Sequence, residues 1–217
     1  MSVGTPTKAD YRAWAVAMLS SRPQEAMAAQ GYRQRGLVFR RAVNGLQQVA
    51  RFDLFVRPRY AKDKAQLVLN ADISVPEADA VFNDLLAASG IEPQLYTISV
   101  PADSLKRTPR EPWLFSDQNE ALLLEPSVTE ALHTEVGQWL DERRTVENLA
   151  VLSHHETVKS VKEYGPAPDK RPLYLAALYV TIDRRQSGRK ILEFGYPEGS
   201  RAREIYQGAL DFYDRGP

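Results

Sequence analysis

The dipeptide Asn44-Gly45, with strand-like sequence on both sides, constrains the fold of this chain more than any other feature. Asn-Gly best suits a tight two-residue turn, because both turn positions need a positive φ. Across that turn, residues 37–42 pair with residues 46–57. This register places Leu37 opposite Phe52 and agrees with the hydrophobic alternation of both strands. The sequence therefore predicts an antiparallel hairpin.

Further strands and helices extend this hairpin into a larger fold. Residues 67–75 alternate apolar and polar side chains as a third strand, residues 95–100 form a fourth, and residues 121–124 a short further strand. Ser127 and Glu130 have the spacing of a capping box that opens a helix, and the apolar residues 172–185 predict one buried helix.

These elements predict an α+β fold: an antiparallel sheet of three to five strands, with helices before it and a C-terminal helical segment packed on one face. We expect a single domain over residues 1–217. It comprises N-terminal helices in 1–30, the sheet with an inserted helix in 31–125, and a helical part in 126–217.

Composition excludes several classes of protein. The chain has no cysteine, so it has no disulfide framework, thiolate metal site or cysteine nucleophile. The apolar run at residues 13–19 is too short for a typical signal peptide, and no stretch has the length of a membrane span. We expect a soluble, cytoplasmic protein without a membrane partner.

Charge is segregated along the chain although the formal net charge is zero. Residues 31–64, the basic segment, carry nine Lys/Arg against two Asp, a net charge of +7. Residues 65–142, the acidic segment, carry three Lys/Arg against fourteen Asp/Glu, a net charge of −11. Such segregation either builds a binding surface or joins two parts of one fold.

The hairpin register sends one set of polar side chains to the face of the sheet opposite the core. The predicted binding residues on that face are Arg40, Arg51, Arg57, Asn70 and Asp72. The three arginines are the expected anchors for an anion or a protein partner. In the other interpretation, Asp53, Asp72 or the acidic segment neutralises the arginines within the chain itself.

The sequence contains no recognisable catalytic, cofactor or metal motif. His133, His154 and His155 are the only histidines, and adjacent histidines on a helix point about 100° apart, so His154 and His155 do not share one metal ion. Nucleophile-elbow, dinucleotide-binding and phosphate-loop motifs are absent. We expect no metal and no cofactor, and the sequence assigns no catalytic residue.

Residues 29–41, which read AQGYRQRGLVFRR, precede Asn44-Gly45 and a long strand. A third strand at 69–75, a tryptophan segment at 112–115 and a helix ending in Trp139-Leu140 follow. Over residues 10–160 this pattern resembles a bacterial domain family of unknown function that bears the number four-three-zero-four. The helical insert at 76–90 and the longer C-terminal part depart from that family. The resemblance implies a fold and no activity.

We therefore expect a non-enzymatic bacterial protein that binds another protein through a charged surface, as an immunity or regulatory factor does. One alternative is a small hydrolase or transferase that uses carboxylates and arginines near the sheet. A second alternative is a nucleic-acid-associated module. Against that alternative, Phe55 and Tyr60 are the only outward aromatic residues that base stacking could use, and the acidic segment would repel a polyanion.

Overall fold

The computed structural model describes residues 5–105, 110–159 and 170–214, with the side chains of all of these except 154–159. The strands are β1 (Arg33–Arg35), β2 (Val38–Val43), β3 (Leu46–Val56), β4 (Ala65–Ser74), β5 (Ile98–Pro101) and β6 (Trp113–Phe115). The helices are α1 (Lys8–Leu19), α2 (Arg22–Ala28), α3 (Pro76–Ala88), α4 (Gln118–Leu123), α5 (Glu125–Glu130), α6 (Gly137–Glu142), α7 (Val146–Lys159), α8 (Arg171–Thr181), α9 (Arg185–Gly195), α10 (Arg201–Ile205) and α11 (Gln207–Asp214). A π-helical turn, Ala131–Val136, joins α5 to α6, and a 3₁₀ turn, Ala102–Leu105, follows β5.

The strands form one antiparallel sheet in the order β1-β2-β3-β4-β5, and β6 also pairs with β4. Helices precede the sheet in sequence and fill the C-terminal part of the chain, so the predicted α+β class is confirmed. The described residues form six strands, more than the three to five expected. The strands without a predicted counterpart are β1 and β6, whose three residues each are too few to show a hydrophobic period.

The hairpin at Asn44-Gly45 is confirmed. Both residues adopt positive φ values, 48° and 79°, as a two-residue turn of this kind requires. The amide of Phe52 donates to the carbonyl of Leu37 at 2.9 Å, as the predicted register demands. Side chains therefore alternate between a buried inner face and an outer face along β2 and β3.

The chain divides into two compact units, each built from three segments of sequence. The first unit is Met1–Arg41, Gln48–Asp72 and Val100–Asp141, and the second is Ala42–Gln47, Ile73–Ser99 and Glu142–Pro217. The expected single domain and its internal boundaries at residues 30 and 125 stay predictions.

An aromatic core lies within the first unit. Tyr11 of α1 packs edge-on against Phe115 of β6, and Phe52 of β3 packs against Trp113. The start of α1 is fixed by a capping box, in which Thr7 accepts from the amide of Asp10 and the Asp10 carboxylate accepts from the amide of Thr7. α1 packs against α4.

The second unit is organised around α8, which is buried along most of its length and packs against α3, α7 and α9. Tyr174 of α8 stacks on Tyr96 with ring centroids 4.2 Å apart. α11 also approaches α3 closely. A Cβ atom placed on Gly208 would lie only 1.8 Å from the carbonyl oxygen of Ala88. This contact requires glycine at position 208.

Three local predictions were wrong. Residues 121–124 lie in and just after α4 instead of a strand, because Asp117 caps a helix there by accepting from the amide of Glu120 at 2.9 Å. Ser127 does not open a helix, because α5 begins at Glu125 and the Ser127 hydroxyl accepts from the Trp113 indole at 2.9 Å. The single helix expected over 172–185 is interrupted at Asp183, whose φ is 56°, between α8 and α9.

Within the described ranges, no helix combines the length and the apolar character needed to cross a membrane. The cytoplasmic location stays a prediction. The side chains of His154 and His155 lie outside the described part of the chain, so the argument about their directions is not tested.

Candidate binding surface

The acidic segment neutralises part of the basic segment within the first unit. Among the described residues, three ion pairs join the two segments: Arg41–Asp141, Arg51–Asp72 and Lys64–Glu120. These pairs lie on different elements, so the charge segregation does join parts of the unit, as one of the two interpretations proposed. The other basic residues of the basic segment belong to no ion pair among the described residues. They are therefore the candidates for binding a ligand or a partner.

Arg51 lies at the centre of a polar network on the outer face of β3 and β4. Its guanidinium donates to Asp72 at 3.0 Å and to Asp53, and Asn70 donates to Asp53 at 2.9 Å. Burial lowers the pKa of Arg51, but hydrogen bonds and charge from Asp72 and then Asp53 outweigh that effect and raise it overall. The structure thus brings together three of the predicted residues, Arg51, Asn70 and Asp72, in a cluster in which carboxylates neutralise the arginine.

Arg41 is a buried arginine that sequence reasoning missed. It faces the core, donates to the Gln48 side chain at 2.8 Å and the Gln30 carbonyl at 2.9 Å, and also pairs with Asp141. Its guanidinium lies 4.4 Å from the centre of the Tyr32 ring. The signal was present in the strand alternation, which puts residue 41 on the same face as Leu37.

Arg40 lies beside Arg41 in sequence and points to the opposite face. It is exposed, and it stands directly opposite Arg33 in the antiparallel pairing of β1 with β2. Arg35, also exposed, is two residues along β1 on the same face. Arg33, Arg35 and Arg40, hereafter the arginine ridge, make no ion pair or side-chain hydrogen bond with any described residue.

Arg57 lies apart from both of these groups, so the five predicted residues do not form one site. β3 ends at Val56, and Arg57 adopts a left-handed φ of 57° at the start of the loop to β4. Its guanidinium donates to the carbonyl of Pro6 at 3.3 Å. Arg57 lines an open groove of about 590 Å³ together with Lys8, Leu54, Phe55, Val56, Pro58, Arg59 and Gln66, hereafter the basic groove.

Outside the basic segment, the titratable side chains of the described residues are the candidates for a metal or substrate site. Among the described residues, no His, Asp and Glu side chains form a cluster of three or more that could hold a metal ion. Burial raises the pKa of Asp79, and a hydrogen bond from Tyr174 partly offsets this shift. The cavity beside Tyr174 measures about 10 Å³, enough for one water molecule and not for a substrate. The hydrolase or transferase alternative stays a prediction.

Comparison with known proteins gave no relative. No protein-family model, no curated protein and no solved structure matches this chain significantly. The resemblance to the bacterial domain family of unknown function therefore stays a prediction.

Proposed function

We propose that the chain is a non-enzymatic binding module of the bacterial cytoplasm that recognises an acidic surface of another protein through the arginine ridge, as an immunity or regulatory protein does. One observation carries the proposal: Arg33 and Arg40 are exposed, directly opposite each other and without a carboxylate partner among the described residues. Like charges directly opposite on neighbouring strands destabilise a sheet. A partner's carboxylates would relieve that repulsion.

The chemistry of the ridge favours a protein partner. All three cations are arginines, whose planar guanidinium forms paired hydrogen bonds with carboxylates and is enriched at the centres of protein interfaces. The ridge also lies at an edge of the sheet, since β1 is the terminal strand of the pairing order. Aromatic side chains for base stacking are absent from β1. The lack of cysteine fits a reducing compartment.

A purely protective role is the competing explanation for the ridge. Charged side chains on an edge strand prevent pairing with the edge of another molecule. Glutamate protects an edge as well as arginine does, whereas recognition of an acidic surface needs positive charge. Reversing the charge of Arg33 or Arg40 therefore separates the two explanations.

The test is site-specific photo-crosslinking in cells of the native host. Arg35 is replaced by p-benzoylphenylalanine, and the matched control carries the same residue at Gln186, an exposed position on α9. We expect one abundant adduct from position 35 and none from position 186. Arg33→Glu and Arg40→Glu should each abolish that adduct while leaving the elution volume of the purified protein in size-exclusion chromatography unchanged.

Two outcomes would overturn the proposal. In the first, position 35 yields no adduct beyond the background at position 186. In the second, an adduct forms and survives both charge reversals, which would mean that the contact does not depend on the arginines. A polynucleotide in place of a protein in the adduct would favour the nucleic-acid alternative instead.

A further inference from the structure

The basic groove concentrates positive charge that no described carboxylate neutralises. Lys8, Arg57 and Arg59 line it, and none of its described lining residues is an Asp or Glu. The Arg57 guanidinium donates only to a main-chain carbonyl, and the side chains of Lys8 and Arg59 make no hydrogen bond or ion pair with the described residues. Three cations in one concave surface attract an anion of more than one charge, above all a phosphate group.

An exposed aromatic ring lies beside these cations. Phe55 is 51% exposed although it is one of the larger apolar residues of the chain, and it lines the groove together with Pro58. A planar base can stack on such a ring. Gln66, on the neighbouring strand β4, adds an amide that can hydrogen-bond to the edge of the base.

The backbone at the groove is strained in a way that positions a cation. Arg57 has a φ of 57°, a conformation that costs energy for any residue with a Cβ atom. Glycine would adopt the same conformation without that cost. Strain of this kind often accompanies function, and here it sets the direction in which a guanidinium leaves the strand.

We propose that the basic groove binds a nucleoside phosphate group, with the phosphate held by Arg57, Arg59 and Lys8 and the base stacked on Phe55. The volume of about 590 Å³ lies in the range of ordinary small-molecule sites. The group could come from a free nucleotide or from one unit of a single-stranded nucleic acid. Tyr60 lies in the same loop and is 64% exposed, so it would offer a second stacking ring to a single-stranded nucleic acid.

The acidic segment does not stand against this proposal. The repulsion expected from its net charge is reduced in the first unit, because Asp72, Glu120 and Asp141 are all engaged by basic residues. The groove is also separate from the arginine ridge, so the proposal does not depend on the protein partner proposed above.

Fluorescence anisotropy with two probes tests the proposal and separates the sources. One probe is ATP carrying an N-methylanthraniloyl group on its ribose, and the other is a fluorescein-labelled oligothymidylate of about twelve nucleotides. If the natural ligand is a free nucleotide, the labelled ATP should bind at least as tightly as the oligothymidylate. A nucleic-acid source predicts tighter binding of the oligonucleotide, with affinity that falls steeply as salt rises.

Two variants and their controls assign the binding to the groove. We expect Arg57→Gly and Phe55→Ala each to weaken the better probe at least about tenfold, the effect of losing one charged contact or one stacking surface. Arg57→Gly should leave the Tm unchanged or higher, because it relieves the strained φ. Phe194→Ala, which removes an exposed ring from α9, and Arg40→Ala, which removes a cation from the ridge, should leave the affinity unchanged.

Three results would overturn the proposal. The first is that neither probe binds at a protein concentration of about 1 mM, the weakest affinity of interest. The second is that the control variants weaken binding as much as the groove variants, which would indicate unspecific attraction. The third is that Phe55→Ala weakens pyrophosphate, which has no base, as much as it weakens the better probe, which would remove the stacking role of Phe55.

Discussion

Arg40 and Arg41 are neighbours in sequence with opposite roles, and this contrast gives the sharpest prediction about the fold. The Arg41 side chain is 5% exposed and holds Gln48, the Gln30 carbonyl and Asp141. We expect Arg41→Ala to destabilise the protein strongly and Arg40→Ala to leave its stability unchanged or slightly higher.

The magnitude for Arg41 follows from its partners. A hydrogen bond to a charged group contributes about 1.5–3 kcal/mol, and breaking a buried ion pair costs about 3–5 kcal/mol. The Asp141 side chain is 45% exposed and recovers water when its partner is removed, so the lower end of that range applies. We therefore expect a loss of about 3 kcal/mol from the free energy of unfolding. Removing Arg40 relieves its repulsion with Arg33, a gain of at most about 0.5 kcal/mol.

Urea unfolding followed by far-ultraviolet circular dichroism measures both variants. With a slope of about 1–3 kcal/mol per molar urea, the midpoint of Arg41→Ala should fall by roughly 1 M or more. The midpoint of Arg40→Ala should stay within error of wild type or rise. Equal midpoints for the two variants, or a lower midpoint for Arg40→Ala, would refute the assignment of Arg41 to the core and Arg40 to solvent.

Two further variants test the second unit. Gly208→Ala should destabilise the protein by about 1–3 kcal/mol, because the new Cβ would meet the Ala88 carbonyl. Helix propensity alone predicts a gain in stability instead. An unchanged or higher urea midpoint would contradict the close approach of α11 to α3. Asp79→Asn should stabilise the protein at neutral pH and hardly at all near pH 3.5. Burial raises the folded-state pKa of Asp79 above 3.8, so the stability contributed by its protonated form is complete below that value and is lost as pH rises through the folded pKa. Thermal melts across that window check the sign, and a difference in Tm that did not grow with pH would contradict it.

The strands and their faces could be predicted from the sequence where the local signals agree. Asn44-Gly45 fixed the turn, and the alternation then set the register, because a slip by one residue would turn every core side chain to solvent. Here local geometry and burial favour the same structure.

The remaining features depend on contacts distant in sequence. Residues 121–124 look like a strand by composition, but Asp117 and the packing of α4 on α1 select a helix. Whether Arg51 is neutralised depends on Asp72, which is 21 residues away. Arg33 lies opposite Arg40 because β1, a strand of only three residues, pairs with β2. These contacts form only in the tertiary fold, so local sequence patterns do not predict them.

The candidate surfaces differ from the predicted site for the same reason. Arg40, Arg51 and Arg57 share a predicted face, yet one belongs to the arginine ridge, one to a neutralised network and one to the basic groove. The basic segment thus serves the fold through Arg41, Arg51 and Lys64, and its other cations belong to no ion pair among the described residues.

The most direct test of this account is a charge-swap measurement of affinity between the protein and the partner captured at position 35. Isothermal titration calorimetry should show at least about a tenfold loss of affinity for Arg33→Glu and Arg40→Glu, and none for Lys190→Glu on α9. Replacing the contacting partner carboxylate with arginine should restore the affinity of the ridge variants. Equal affinities for wild type and both ridge variants, or an equal loss with Lys190→Glu, would contradict the account.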